Sequence, residues 1–241
     1  MIQRVMSEAV ESNVGVEPCR LVVVDFAGTM IVDDGRVADA FESALGAHGV
    51  SITPEQLARV RGLRKLDAIH SIFAGVPDGL RRADEAYKNF RSYLLAACHR
   101  SAPRPIEGAE GAVRILRAHH IRVTLTTGFD RHVTDVLLQA LQWREGLFDA
   151  VVCGDEVRRG RPAPDLIEAA MAVTGILNRR AVATVGDTES DLLAGSTAGV
   201  RWNIGVLSGA HDRARLESVP HTHLVPSVAD VPALFSVHAE R

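Results

Sequence analysis

Four polar residues able to act on a phosphoryl group lie at or after predicted strand ends: Asp25, Thr127 and Asp187, with Arg161 in the loop after another strand. Two aspartates can hold a hard cation, because Mg²⁺ prefers a few carboxylates with water and a substrate phosphate. Threonine and nearby backbone amides can donate hydrogen bonds to phosphate oxygens, and arginine adds a fixed positive charge. An aspartate can also attack phosphorus and form an aspartyl-phosphate. These residue types therefore indicate magnesium-assisted phosphoryl chemistry.

The elements that must position these residues are predicted to form a parallel sheet. The apolar run 21–24 reads as a strand buried on both faces, and Gly28 permits a turn after it. From Gly108 onward, helical and strand patterns alternate. We predict helices over 108–119, 131–141 and 165–174, and strands over 121–125, 150–153, 181–185, 201–205 and 223–225. This alternation predicts an α/β fold, a Rossmann-like doubly wound parallel sheet whose strand ends share one edge.

Residues 36–100 interrupt the alternation with helical patterns only. We predict helices over 37–48, from a cap at Thr53 with Pro54 in the first turn, over 65–73 and over 80–99. The chain is therefore predicted to have three parts. They are an N-terminal tail of unknown order (1–17), an α/β core (18–35 and 101–241) and an inserted small α-helical cap domain (36–100).

Composition and charge restrict the class of partner. The chain has 241 residues, 46% of them hydrophobic, and its net charge of -3 gives no electrostatic case for nucleic acid. No stretch approaches the length of a membrane span, and the first 17 residues lack the apolar core of a signal peptide. Cys19, Cys98 and Cys153 are scattered and in no metal-binding spacing. We therefore expect a cytoplasmic protein that acts on a small molecule and binds neither nucleic acid nor membrane. The oligomeric state stays open, with a homodimer as one alternative.

The strand-end motifs, taken in order, resemble those of the haloacid dehalogenase superfamily of Mg²⁺-dependent phosphohydrolases. The similarity covers residues 20–225 and includes the helical insertion, which resembles the small cap of that superfamily. The segment Asp25–Thr29 (DFAGT) is similar to the first motif and Thr127 to the second. Arg161 is similar to the basic residue of the third motif, and Gly186–Asp191 (GDTESD) to the fourth.

This resemblance implies a role for each matching residue. Asp25 would be the nucleophile, and Thr127, Gly128 and Arg161 would bind the phosphoryl group. Asp25, the backbone carbonyl of Ala27 and Asp187 would hold Mg²⁺. Asp191 would assist either as a direct ligand of Mg²⁺ or by supporting the ligands without contacting the metal.

Ala27 departs from the pattern of most phosphomonoesterases in the superfamily. Those enzymes carry a second aspartate two residues after the nucleophile, which protonates the leaving alkoxide and later activates water. Alanine can do neither. The phosphonatase-like subgroup, the phosphonoacetaldehyde hydrolases, has this alanine and cleaves a carbon–phosphorus bond. There a cap lysine forms a Schiff base with the substrate aldehyde, and the iminium accepts the electrons of the breaking bond.

Lys65, in the segment Gly62–Asp67, matches the position of that lysine. Arg61 and Arg64 are like charges beside it, and we expect them to lower its pKa; Arg61 is a further candidate contact to substrate. The subgroup has a histidine three residues after the lysine, whereas this chain has Ala68. Three roles stay open for Lys65: a Schiff-base lysine, an electrostatic contact to substrate, or a solvated lysine at a helix end.

The function predicted on these grounds is a Mg²⁺-dependent hydrolase of a small phosphonate or phosphate, acting through an aspartyl-phosphate and similar to the phosphonatase-like subgroup. One alternative is a phosphatase of small phosphomonoesters. Another is a non-catalytic protein that binds phosphate on the same fold. Asp33 and Asp34 are expected to form a solvated turn outside the site.

Overall fold

A computed structural model describes residues 17–143 and 146–235 and shows a six-stranded parallel sheet at the centre of the molecule. The predicted tail lies outside these ranges except for Glu17. The strands follow the order β3-β2-β1-β4-β5-β6. Their bounds are β1 Leu21–Val24, β2 Arg122–Thr126, β3 Ala150–Val152, β4 Val182–Gly186, β5 Trp202–Val206 and β6 His223–Val225. The predicted fold class is confirmed.

The central strand β1 is fully covered because helices pack on both faces of the sheet. Val22 and Val24 belong to one apolar cluster with helices α5 (Ala109–Ala118) and α6 (Arg131–Ala140). Leu21 and Val23 belong to another with α7 (Asp165–Thr174) and α8 (Glu189–Ala198). Alternate side chains of a strand point to opposite faces, so an uninterrupted apolar run is what a doubly covered strand requires.

Register and strand order place the ends of β1 and β4 together. Val24 pairs with Leu125 of β2 on one side and with Val185 of β4 on the other. Strands β2 and β3 follow on one side of β1, and strands β4, β5 and β6 follow on the other. Open α/β sheets bind ligands in the crevice where the strand order reverses, which here lies between β1 and β4.

The insertion between β1 and α5 contains helices and no strand. It consists of α1 Arg36–Gly46, α2 Pro54–Val60, α3 Lys65–Ile72 and α4 Gly79–Arg100, and we call residues 36–100 the helical insertion. Its own core includes Phe41 and Phe90, whose ring centroids are 4.7 Å apart. Thr53 and Gln56 form the predicted cap of α2, each side chain bonded to the other's backbone N–H.

The remaining short helix, α9, spans Arg213–Glu217. Predicted element bounds agree with the observed ones to within about two residues, the uncertainty inherent in helix and strand ends. None of the helices in the described ranges is long and apolar enough to cross a membrane.

The close packing of α8 on the sheet generates a stability prediction. A Cβ atom on Gly195 would overlap the Asn203 and Thr184 side chains, whereas one on Gly111, an exposed position of α5, would meet open space. Gly195→Ala should lower the free energy of unfolding by about 1–3 kcal/mol through overpacking. The matched control Gly111→Ala should raise it by up to about 1 kcal/mol, because alanine favours helix.

Chemical denaturation of both variants measures these changes. A Gly195→Ala protein as stable as Gly111→Ala would contradict the close contact between α8 and the sheet.

Candidate active site

The carboxyl edge of the sheet forms a cavity beneath the helical insertion. Asp25 and Asp187 reach it because each directly follows one of the paired strands β1 and β4. The backbone N–H of Asp25 donates to the Val185 carbonyl, which extends the pairing by one residue. Gly28 turns the chain away with φ +92°, a conformation that favours glycine. The lining residues include Asp25, Ala27, Arg61, Lys65, Thr127, Gly128, Arg161 and Asp187.

The guanidinium of Arg161, a lining residue of the cavity, lies between two carboxylates. Its Nη1 is 2.7 Å from Asp25 Oδ1, and its Nε is 2.8 Å from Asp191 Oδ1. Its Nη2 donates to Thr126 Oγ1 at 2.7 Å. All three charged groups are buried, and a buried charge is stable only when it is paired. Arg161 therefore orients Asp25 as well as supplying positive charge.

Asp187 is enclosed by backbone on two sides. Cβ atoms built on Gly28 or Gly209 would overlap its carboxylate. Its Oδ1 accepts from Thr29 Oγ1 at 3.2 Å, and its Oδ2 accepts from the Ala210 backbone N–H at 2.7 Å. The carboxylate is thus held in one orientation by contacts from the first motif and from the loop after β5.

Asp25, Asp187 and Asp191 form a cluster whose carboxylate oxygens can lie within 4.8 Å of one another. Burial raises the pKa of Asp25 to about 6, with Arg161 opposing the shift. Burial and the neighbouring carboxylates raise the pKa of Asp187 well above its ordinary value. Arg161 and Lys65 together do not balance the charge of the three carboxylates, and the donor atoms are hard oxygens. The residues therefore fit a hard divalent cation.

The members of this cluster are not equivalent. Asp191 Oδ2 accepts from the backbone N–H and the hydroxyl of Thr188 at the start of α8. Its other oxygen faces Arg161, and Asp191 does not line the cavity, unlike Asp25, Ala27 and Asp187. This arrangement favours a supporting role for Asp191, the second of the two roles left open.

Thr127 and Gly128 form the part of the wall suited to a phosphoryl group. The Thr127 hydroxyl accepts from the Phe129 N–H at 3.2 Å, which leaves its own proton free to donate. The Gly128 carbonyl accepts from the Lys65 backbone N–H at 3.0 Å. A Cβ on Gly128 would overlap the Leu63 carbonyl, so the glycine permits the helical insertion to approach the sheet edge.

Lys65 begins α3 and is 8% exposed, so its interpretation as a solvated lysine is wrong. Its Nζ donates to the Leu63 carbonyl at 3.2 Å and lies 5.2 Å from the centre of the Phe129 ring. Burial lowers the pKa of Lys65 to about 8, with Asp25 opposing this shift and Arg161 adding to it. An appreciable fraction of its amine is therefore neutral near neutral pH.

Arg61 and Arg64, expected to lower the pKa of Lys65, are both paired with carboxylates, while Arg61 stays a candidate contact to substrate. Arg64 pairs with Asp67 and reaches the Val157 carbonyl, so its charge is directed away from the cavity. Arg61 lines the cavity but is paired with Asp33. The like charge that lowers the pKa of Lys65 is that of Arg161, which is distant in sequence. Asp33, expected in a solvated turn, is instead a lining residue of the cavity, whereas Asp34 is exposed.

The sequence analysis missed His211, which is 4% exposed in the loop after β5. Its Nδ1 accepts from the Glu189 backbone N–H at 3.0 Å, and its Nε2 lies 3.2 Å from the Ala58 carbonyl of α2. Burial lowers its pKa, so the ring is neutral at neutral pH. Unlike Asp25 and Asp187, His211 does not directly follow its strand, so the strand-end signal did not single it out.

Comparison with known proteins identifies the family. The sequence profile described as haloacid dehalogenase-like hydrolase matches residues 22–204. The chain is 30% identical over 208 residues to a phosphonoacetaldehyde hydrolase of Bacillus cereus, an alignment covering 79% of this chain and 76% of that protein.

Two solved structures share the fold. The crystal structure of a phosphonoacetaldehyde hydrolase like protein from Oleispira antarctica superposes with a TM-score of 0.81 at 20% identity, covering 95% of each chain. That of a predicted phosphoglycolate phosphatase from Haemophilus somnus has a TM-score of 0.71 at 18% identity, covering 91% of this chain and 99% of that one. Taken with the strand-end site, the profile match and the Bacillus relative show that this chain belongs to the haloacid dehalogenase-like hydrolases.

Proposed function

We propose that this enzyme is a Mg²⁺-dependent phosphonatase that hydrolyses the carbon–phosphorus bond of phosphonoacetaldehyde or a closely related 2-oxo phosphonate. The observation that carries the proposal is a buried lysine, Lys65, lining the same cavity as Asp25. Ala27, beside them, offers no proton for a leaving alkoxide. The naming of the Bacillus relative as a phosphonoacetaldehyde hydrolase supports it.

Asp25, the Ala27 carbonyl and Asp187 would hold the metal, with Asp191 supporting the site through Arg161. When bound, Mg²⁺ would offset negative charge on the carboxylates and the phosphonate oxygens. Thr127, the backbone around Gly128 and the Arg161 charge would orient the phosphonate toward Asp25.

Lys65 would supply the electron sink. Its neutral amine adds to the carbonyl carbon of the substrate, and loss of water gives an iminium. An Asp25 carboxylate oxygen then attacks phosphorus. The C–P bond breaks, and its electron pair moves toward the iminium nitrogen to form an enamine. This route needs no proton donor to an alkoxide, which is consistent with alanine at position 27.

Water completes the reaction. Protonation of the enamine carbon and hydrolysis of the resulting iminium release acetaldehyde and restore the Lys65 amine. Hydrolysis of the aspartyl-phosphate releases inorganic phosphate and restores Asp25. The net reaction consumes one water per phosphonoacetaldehyde. We place it in the cytoplasm, in keeping with three buried free thiols.

A phosphomonoesterase is the second candidate, and the histidine missing at Ala68 favours it. Ala68 is completely buried, and no histidine is among the described residues that line the cavity. In that reaction Lys65 would only contact the substrate phosphate or its leaving group. The two functions therefore assign different chemistry to one side chain. The non-catalytic alternative predicts no phosphate release from either kind of substrate.

Metal removal tests the cation site. Chelation by EDTA should abolish phosphate release reversibly, and Asp187→Asn should raise the Mg²⁺ concentration for half-maximal rate roughly tenfold or more. Asp39→Asn, an exposed carboxylate of α1, is the matched control and should leave this concentration unchanged. Full activity in excess EDTA would contradict the metal assignment.

Lys65→Arg separates the two candidate reactions. Arginine keeps the positive charge but cannot form a Schiff base, so C–P cleavage should fall below detection while the fold is retained. With phosphonoacetaldehyde and cyanoborohydride, the wild type should gain a reduced adduct on the Lys65 peptide. Asp25→Asn should gain the adduct yet release no phosphate. Substantial C–P cleavage by the arginine variant would contradict the Schiff base. A wild type that gains no adduct and releases no phosphate from phosphonoacetaldehyde would favour the phosphomonoesterase.

The pH dependence of imine formation tests the state of the amine. Acetaldehyde with cyanoborohydride alkylates Lys65 only when the amine is neutral, so its rate should rise through pH 8 and level off above it. An ordinary lysine would gain reactivity until about pH 10. Asp25→Asn removes a charge that raises the pKa, so its profile should shift to lower pH. Mass spectrometry of the Lys65 peptide reads both profiles, and a wild-type midpoint near 10 would refute the burial of this amine.

A further inference from the structure

The loop between β5 and α9 contacts both the candidate metal site and the helical insertion. Ser208 Oγ donates to the Gly28 carbonyl at 2.9 Å, and the Ala210 N–H donates to Asp187. The next residue, His211, bonds to the helical insertion. We call residues 207–212 the strap loop. It links the first motif, the fourth motif and α2 through one short segment.

His211 has a defined tautomer in this loop. A backbone N–H can only donate, so the bond from Glu189 places a lone pair on Nδ1. The ring proton is then on Nε2, where it donates to the Ala58 carbonyl. The ring therefore joins the first residue of α8 to α2, with the donor directed at the helical insertion.

Other contacts on this side come from the fourth motif. Ser190 Oγ donates to the Arg61 carbonyl at 3.3 Å, and Gly62 approaches Thr188 so closely that a Cβ there would overlap the hydroxyl. These contacts hold the segment that leads into Lys65. On the opposite side of the cavity, the Lys65 N–H bonds to Gly128. The segment 61–65 is thus held between two strand-end loops.

We propose that His211 is a positioning residue that holds the helical insertion closed over the site, through the hydrogen bond from its Nε2 to the Ala58 carbonyl. Closure keeps Lys65 in the cavity beside Asp25, so the strap loop couples the placement of Asp187 to the placement of Lys65. The contact does not depend on the identity of the substrate, so it can be tested without turnover.

The two lysines of the chain provide the assay. Lys65 is buried and Lys88 is exposed on α4, so a bulky amine reagent should label Lys88 fast and Lys65 only when the insertion opens. The ratio of Lys65 to Lys88 labelling, read by peptide mass at one pH, reports opening with an internal reference. Trinitrobenzenesulfonate is a suitable probe.

Two conservative variants separate the two hydrogen bonds of the His211 ring. Asparagine can present an oxygen near the Nδ1 position and accept from Glu189, but it is too short to reach Ala58. Glutamine can present an amide N–H near the Nε2 position and keep the bond to Ala58. His211→Asn should therefore raise the Lys65 to Lys88 labelling ratio by up to about tenfold. This is the change in the opening equilibrium that the loss of one hydrogen bond produces. His211→Gln should stay near the wild type.

The comparison distinguishes positioning from general stability. Both variants remove a buried ring, so a merely structural role would lower the unfolding midpoint and raise labelling in both alike. Equal labelling ratios in His211→Asn and His211→Gln would overturn the proposal. On the proposed phosphonatase, His211→Asn should also lower kcat/KM in proportion to the labelling. If the two variants differ in the labelling ratio but kcat/KM does not follow it, the result would contradict the proposed reaction and not the closure.

A wild-type measurement keeps the proposal testable if either variant folds poorly. In ¹⁵N-histidine spectra, His211 should show an unprotonated Nδ1 and an Nε2–H that exchanges slowly with water. A protonated Nδ1, or an Nε2–H that exchanges as fast as that of an exposed histidine, would refute the bond to Ala58.

Discussion

The structure of the site depends on the ion pairs of one buried guanidinium. Arg161 pairs with Asp25 at the cavity and with Asp191 behind it, and all three groups are buried. Removing one partner of a buried pair typically costs about 3–5 kcal/mol, because the other charge is left uncompensated. This arginine, together with Lys65, stabilises the two carboxylates that lie near Asp187. The remaining negative charge is what makes the cluster suitable for a divalent cation.

A second constraint is steric and concerns how the helical insertion meets the sheet edge. Gly128, Gly154 and Gly160 lie against Leu63 and Arg64 so closely that a Cβ on any of them would crowd the segment. Glycine at these positions lets backbone approach backbone, and the Lys65 N–H can then bond to the Gly128 carbonyl. Burial of the Lys65 amine, and hence its lowered pKa, follows from this approach.

The composition of the cavity is asymmetric, and this bears on specificity. One side is built from Asp25 and Thr127, which directly follow β1 and β2, and from Arg161 in the loop before α7. The opposite side includes Lys65, apolar residues and Arg61 of the helical insertion, with Arg61 paired to Asp33 just before the insertion begins. On the proposed function, the sheet would position the chemistry at phosphorus, whereas a separate element would contact the organic part of the substrate.

Sequence alone determined the sheet, the helical insertion and the residues at strand ends, because apolar periodicity and strand-end polarity are local signals. It predicted Asp25, Thr127, Arg161 and Asp187 at one edge, and the structure places them there. It could not decide the state of Lys65, the pairing of Arg61 with Asp33, or the place of His211. Each of these depends on contacts between segments far apart in the chain. Burial and charge pairing are properties of the packed structure. Only the tertiary fold therefore decided that Lys65 is buried, that Arg161 lies near it and that His211 connects the sheet edge to the helical insertion.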